Sequence, residues 1–512
     1  MNGKSREDKV VAAGDVIMER DPWVWVFQWD SYKEYCAGCF HPLSLRSPDV
    51  LPCLGCQIHR YCSQRCQTAD WKLEHQSECT LMKRITDYRQ QAARKPDDSF
   101  FVATILTLKI HNKMQKSVMD RFPGLNGKRS AKEILMSFDT NLFLKGKKIT
   151  EFLRKPFYQG LLAAVYPKAA DRPAEMDLED IQLRVMKNMF PLADYNSEGK
   201  GPSIYGSALF LGIGDNDGTL VCLDYNAMVV FPGKTMRVVA LDDIPGYSGL
   251  TDIKWCDSMS FEFLLPAKQR REYFQRKHRR VCGCRKCTPE YDAEINPLKC
   301  ITNYCPERIP SDERALLPCP QCGAINEPRL RALRRFMKKH EPVFQLALTA
   351  DLTDHDTLPG LVMHMKAYLI EELNKLDILH PGALLRMVCG WIVTDVYEEQ
   401  NRFEEAWALY QDCMLCIRHI FPKYHVIRAQ FLGFAGDFAV KWVHRMMNYP
   451  RGVSKLTASL ITEVLGHGIE YLQESSEINL KLFGQLCKFA MCMELKIREA
   501  KDVLRAVKYA ND

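Results

Sequence analysis

Apolar positions recur with a helical period over most of the chain. They keep a strand period in only a few short stretches. Leu81, Ile85 and Tyr88 step by four and three, as do Phe101, Ile105 and Leu108, so residues 81–190 are expected to be mainly helices with one apolar face each. Pro96-Asp97-Asp98 separates two of them, with Asp98 or Ser99 as the cap of the second. From Pro328 onward the period is again helical. Phe403, Trp407, Tyr410, Met414 and Ile417 form one stripe, read as core rather than as a ligand box. Paired helices of this kind suggest tetratricopeptide-like packing.

Strand patterns sit at two places. Val10–Ala13, Val16–Met18 and the alternating Trp23–Phe27 are broken by Gly14-Asp15 and Asp21-Pro22; taken alone they predict an ordinary hairpin. Between residues 203 and 263, Gly206–Leu211, Leu220–Leu223, Asp224–Phe231 and Thr235–Ala240 are short apolar strands divided by Asp215–Gly218 and Pro232–Lys234 turns. Pro123–Lys128 is expected to be a loop. Its Gly-Leu-Asn-Gly-Lys run lacks the spacing and the preceding strand of a phosphate loop.

Composition narrows the class. At 512 residues, 46% apolar and 26% charged, the chain is globular and long enough for two to four domains. Seventy basic against 63 acidic side chains leave +7, too mild to argue for direct nucleic-acid binding. The first residues are charged, without an apolar signal core, and no long uncharged apolar run is present, so no membrane segment is expected. The 21 cysteines fall mostly in spaced clusters before residue 323, which favours metal in a reducing compartment over disulfides.

The densest cluster is Cys36, Cys39, Cys53, Cys56, Cys62, Cys66, His75 and Cys79. Seven thiols and one imidazole suit two tetrahedral zinc ions. The closing arm puts His75 and Cys79 one helical turn apart on one face. Farther on, Cys282, Cys284 and Cys287 form Cys-x-Cys-x2-Cys, three sulfurs in need of a fourth ligand. Cys300, Cys305, Cys319 and Cys322 form Cys-x4-Cys-x13-Cys-x2-Cys, a further four-ligand candidate; the alternative is buried free thiols. The intervening basic run Lys268–Arg280 reads as a solvated face, and His380 and His425 as packed or surface residues.

The stretch Cys36–Cys79, with Tyr61-Cys62-Ser63 and Trp71–His75, resembles a MYND zinc finger. That resemblance implies interleaved sites, Cys36/Cys39/Cys62/Cys66 and Cys53/Cys56/His75/Cys79, and binding of peptide rather than bases. The order of strand pair, finger, helical insert, short strands, Cys-x-Cys-x2-Cys and helices is similar to the SET and MYND domain proteins. In the C-terminal part Leu379-His380-Pro381, Asn401–Ala406 and Phe421–Arg428 carry the likeness. The family implies an α+β fold: a SET β-fold interrupted by the finger and a helical insert, a cysteine-rich post-SET region and a helical C-terminal domain. The corresponding boundaries are 1–35, 36–79, 80–190, 191–267, 268–325 and 326–512. It further implies methyl transfer from S-adenosylmethionine to protein lysines, histone or otherwise, with protein partners such as corepressors, in nucleus and cytoplasm. Asn188, in Asn188-Met189-Phe190, and Gly3 stand at implied cofactor contacts. Cys222, with Cys256 as second choice, would complete the post-SET zinc.

The chain departs from the family pattern where chemistry is done. Leu220-Val221-Cys222-Leu223 stands where the family has Asn-His-Ser-Cys. Lys254 or Trp255 occupies the catalytic tyrosine's place, and Arg280 replaces an aromatic residue that packs on the cofactor. A phenol can orient a lysine amine and stabilise developing charge, whereas an indole offers only a single N–H donor. These losses predict a catalytically eroded core, and they keep a zinc-dependent binding protein on the same scaffold as the rival expectation.

Overall fold

The computed structural model describes residues 10–45, 50–92, 99–116, 121–124, 127–137, 151, 153–195, 202–209, 219–220, 225–245, 254–256, 267–278, 281–349, 377–447, 455–485 and 487–509. It is a mixed α and β fold. In chain order the strands are β1 (Val16–Arg20), β2 (Val24–Phe27), β3 (Leu51–Pro52), β4 (Arg60–Tyr61), β5 (Arg121–Gly124), β6 (Gly127–Ser130), β7 (Phe190–Tyr195), β8 (Pro202–Leu209), β9 (Thr219–Leu220), β10 (Ala227–Val230), β11 (Met236–Ala240), β12 (Lys254–Cys256), β13 (Leu298–Lys299) and β14 (Arg308–Ile309).

The first two strands do not pair with each other. β1 runs antiparallel to β11, with Val16 opposite Val239 and Arg20 opposite Met236, in a five-stranded sheet ordered β1-β11-β10-β12-β9. β2 runs antiparallel to β8, with Val24 opposite Leu209 and Phe27 opposite Gly206, in a sheet ordered β2-β8-β7. The hairpin expected from residues 10–29 is therefore wrong. The reason lies in β2 itself: all four of its residues are buried, and a hairpin of two strands would leave one face wet. The carbonyls of Trp23 and Trp25 accept hydrogen bonds from Lys113 and Lys109 of the helix Ser99–Lys116, which covers this strand. The finger and the helices Gln76–Gln91, Ser99–Lys116, Pro156–Val165 and Glu175–Asn188 thus lie in sequence between strands that the sheets bring together.

Two smaller expectations change as well. Pro123 and Gly124 are not loop but the end of β5, opposite Lys128 and Gly127 of β6. The basic helix, Ala267–His278, is not solvated throughout. Arg270 is fully buried and donates to the Lys286 carbonyl at 2.7 Å and to Asp292 at 3.1 Å. A guanidinium at this depth is tolerated because it is paired and hydrogen-bonded. Burial pushes the Asp292 carboxyl up, with the Arg270 charge opposing.

The C-terminal half is helical, with helices Glu327–Thr349, Leu384–Glu399, Phe403–Ile420, Val426–Met447, Lys455–Phe483 and Lys488–Tyr509. Trp407, Tyr410, Met414 and Ile417 are buried along one stripe. Gly436 and Gly468 let two helices touch: a Cβ on Gly436 would lie 2.5 Å from Leu472 Cγ, and one on Gly468 would lie 2.6 Å from Ala439 Cβ. His425 is buried beneath this half, and its Nε2 lies 2.8 Å from the Tyr225 hydroxyl just before β10. No helix among the described residues is long and apolar enough to cross a membrane.

Candidate metal centre

Two turns of the same construction open the finger. The Phe40 N–H returns to the Cys36 carbonyl at 2.8 Å, and the Gln57 N–H to the Cys53 carbonyl at 2.9 Å. Phe40 and Gln57 both take left-handed backbone, with φ of 60° and 61°. This conformation costs a side-chain-bearing residue about 1–2 kcal/mol, so something must repay it. What the turns achieve is convergence of sulfurs. The ligand atoms of Cys36, Cys39, Cys62 and Cys66 lie within 4.8 Å of one another, and so do those of Cys53, Cys56, His75 and Cys79. Sequence spacing left this pairing open, and the interleaved arrangement is the one found.

The distances discriminate between metal and disulfide. Sulfurs around a tetrahedral zinc with bonds near 2.3 Å lie about 3.8 Å apart, whereas a disulfide brings them to about 2.05 Å. Cys39–Cys62, Cys62–Cys66 and Cys53–Cys79 stand at 3.7, 3.6 and 3.7 Å. His75 Nε2 lies 3.2 Å from Cys53 Sγ and 3.4 Å from Cys56 Sγ, close to the edge of about 3.5 Å that a shorter zinc–nitrogen bond implies. Burial pushes the Cys56 thiol up to about 12 and the Cys62 thiol up to about 11. Such packed sulfurs resist ionising together unless a cation joins them. Burial also lowers His75 to about 3, which keeps the imidazole neutral, as a ligand must be.

The rest of the finger is shaped to these ligands. Ser63 caps the helix Gln64–Asp70 by accepting from the Cys66 N–H at 3.2 Å, and the Cys62 N–H points at Cys36 Sγ. A π-helical turn, Trp71–His75, joins that helix to Gln76–Gln91. Such turns widen a helix locally and are common at functional sites; the sequence showed only the His75–Cys79 spacing. Gly55 is required by approach, since a Cβ there would lie 2.6 Å from Cys79 Sγ.

Sequence reasoning missed the groups behind the ligands. His59 is fully buried, stacked on His75 with ring centroids 4.0 Å apart, and Asp70 accepts from the Tyr61 hydroxyl at 2.8 Å beside it. Asp70, Glu74 and Glu78 then form an acidic stripe at helical spacing. Glu78 meets Lys109 at 2.8 Å, Glu74 meets Lys113 at 3.5 Å and Lys234 at 3.6 Å, and the Trp25 indole donates to Glu74 at 3.0 Å. The finger is therefore docked onto β2 and its covering helix by buried, paired charge. The only sequence signal was three carboxylates four residues apart.

The remaining candidates fall in three groups. Cys282, Cys284 and Cys287 converge within 4.8 Å, and so do Cys300, Cys305, Cys319 and Cys322. Asn188 ends the helix Glu175–Asn188 and donates to the Arg184 carbonyl at 2.8 Å, one turn back, immediately before β7. Cys256 closes β12, opposite Met228 of β10. Gly3, Cys222, Val221, Leu223 and Arg280 lie outside the described residues.

The family model of the MYND finger matches residues 36–79. Over 288 residues the chain is 24% identical to histone-lysine N-methyltransferase SMYD3 of Mus musculus, covering 55% of this chain and 58% of that one. The human SMYD3 match is 24% over 290 residues, with the same coverage. Histone-lysine N-methyltransferase ASHR1 of Arabidopsis thaliana matches at 35% over 72 residues, 14% of each chain. Together these matches make the chain similar to the SET and MYND domain proteins, with a MYND finger of its own. It spans a little over half the length of the SMYD3 relatives it matches. The finger and the cysteine clusters point to zinc.

Proposed function

We propose that this protein is a zinc-dependent protein-lysine methyltransferase of the SET and MYND type, using S-adenosylmethionine. The observation that carries the reading is the pairing of β1 and β2 with β11 and β8 across the finger and the helical insert. That split is the arrangement the family's SET fold implies. Two zinc ions would sit in the finger, one held by Cys36, Cys39, Cys62 and Cys66, the other by Cys53, Cys56, His75 and Cys79. Cys282, Cys284 and Cys287 would hold another, with Cys222 or Cys256 as fourth ligand. The cofactor would supply an electrophilic methyl on its sulfonium. Asn188, at the helix end leading into β7, and Gly3 are the positions proposed to meet it. Substrates would be lysines of histones or other proteins, with the finger and the C-terminal helices docking peptide or corepressor partners in nucleus and cytoplasm.

A second reading, a binding protein on a retired enzyme scaffold, is favoured by one feature. Lys254 and Trp255 open β12, with Trp255 opposite Ala227 of β10, and the resemblance puts the tyrosine's place at one of these two residues, neither of which is a tyrosine. One experiment separates the two. S-adenosylmethionine should raise the melting temperature of the full chain, since a ligand binding only the native state must stabilise it, and labelled methyl should reach lysine in histone. A folded, zinc-loaded chain showing neither effect is the binding protein.

A further inference from the structure

Four cysteines far from the finger repeat its local construction. In Cys319-Pro320-Gln321-Cys322 the Gly323 N–H returns to the Cys319 carbonyl at 2.8 Å, and Gly323 has φ of 73°. Those are the hydrogen bond and backbone turn that Phe40 and Gln57 make in the finger. Here a glycine takes the left-handed position without strain. The opposing arm, Cys300 to Cys305, carries its own left-handed residue, Tyr304, with φ of 64°. β13 and β14 pair around that arm, with Leu298 opposite Ile309.

The sulfurs meet at the metal spacing. Cys300–Cys322 stand at 3.5 Å and Cys305–Cys319 at 3.8 Å. Tetrahedral zinc sets about 3.8 Å, and all four are free thiols rather than disulfides. Asn326, fully buried, straps the two arms: its side-chain oxygen accepts from the Ile301 N–H at 2.7 Å, and its own N–H donates to the Ala315 carbonyl at 3.0 Å. Cys300 and Cys319 are buried in one apolar cluster with Leu330 and Phe336 of the helix Glu327–Thr349 and with Leu379 and Ala383. Leu298 bridges to Leu379, and the His380 N–H donates to the Pro297 carbonyl at 2.9 Å.

We propose that Cys300, Cys305, Cys319 and Cys322 bind a further zinc ion as a closed four-thiolate structural site. Its work is to clasp the segment 298–326 to the first helix of the C-terminal half and to the turn at 379–383. Four protein ligands leave no open position for substrate or water, so the site holds structure rather than catalysing. Cys322 is the exposed ligand, and through it the ion would enter and leave.

The test is elemental analysis of the purified full chain under reducing conditions. Cys319→Ser and Cys322→Ser should each lose about one zinc per chain, because three thiolates hold the ion poorly, whereas Cys322→His should keep it. Retention of the parent's zinc content by both serine variants would overturn the proposal, as would a mass spectrum of the parent linking Cys300 to Cys322 or Cys305 to Cys319. Should the variants fail to fold, alkylation of the parent decides. The four thiols should resist the reagent until chelator is added and then react as a group; free reaction before chelation overturns the site.

Discussion

The finger and the C-terminal helices are held by opposite means. Between residues 36 and 79 the loops lend Phe40, Leu43, Ile58 and Tyr61 to the neighbouring apolar cluster, but the convergence of their ligands rests on sulfur, imidazole and a buried acidic stripe. Between residues 403 and 482 the chain buries Trp407, Tyr410, Phe438 and Leu472 in one continuous cluster. A metal stabilises many loop residues through four contacts, so losing one ligand loses the whole unit. An apolar cluster spreads the same task over many small contacts and yields by degrees.

The largest effect should come from His75→Ala. Structural zinc contributes on the order of 10 kcal/mol to folding, so this variant should release finger zinc and expose residues 36–79 to protease, both readable by metal analysis and peptide mapping. Next, Trp407→Ala should cost about 3–5 kcal/mol and lower the melting temperature while zinc content stays at the parent level. Loss of zinc from that variant would erase the contrast between the regions.

Lys109→Met tests the join between finger and sheet. It leaves Glu78 buried without its cation, at a cost of about 3–5 kcal/mol. Adding Glu78→Gln should recover part of that in a double-mutant cycle.

How much of this was legible beforehand follows from range. The knuckles at Cys36 and Cys53 are written within five residues and the stripe from Trp407 to Ile417 within eleven, because ligand spacing and helical period are local. The pairing of Val16 with Val239 is not, since nothing near either residue specifies a partner so far along the chain. Trp23–Phe27 misled for the same reason: alternation suggested one wet face, but a helix beyond residue 99 covers it. Arg270 looked like surface, and Lys109 and His59 gave no signal, because burial of charge is decided by partners brought from elsewhere.

Smaller effects refine the picture. Burial pushes the Glu474 carboxyl up, but Arg428 and Arg418 pull harder and hold it below its usual value. Its contribution is therefore present above the unfolded carboxylate value of about 4.3 and is lost as pH falls through the lowered folded value. Glu474→Gln should melt below the parent at neutral pH, and the gap should close on acidification. Gln57→Gly, which relieves the left-handed turn, should stabilise the zinc-loaded finger by no more than about 1 kcal/mol, visible as slower zinc release to a chelator.

Hydrogen exchange of the full chain, compared before and after zinc chelation, tests the contrast most directly. Amides of residues 36–79 should lose protection together, while those of the helices Phe403–Ile420 and Val426–Met447 keep theirs. Unchanged protection in the finger, or equal loss in both regions, would contradict the claim that metal holds one and apolar packing the other.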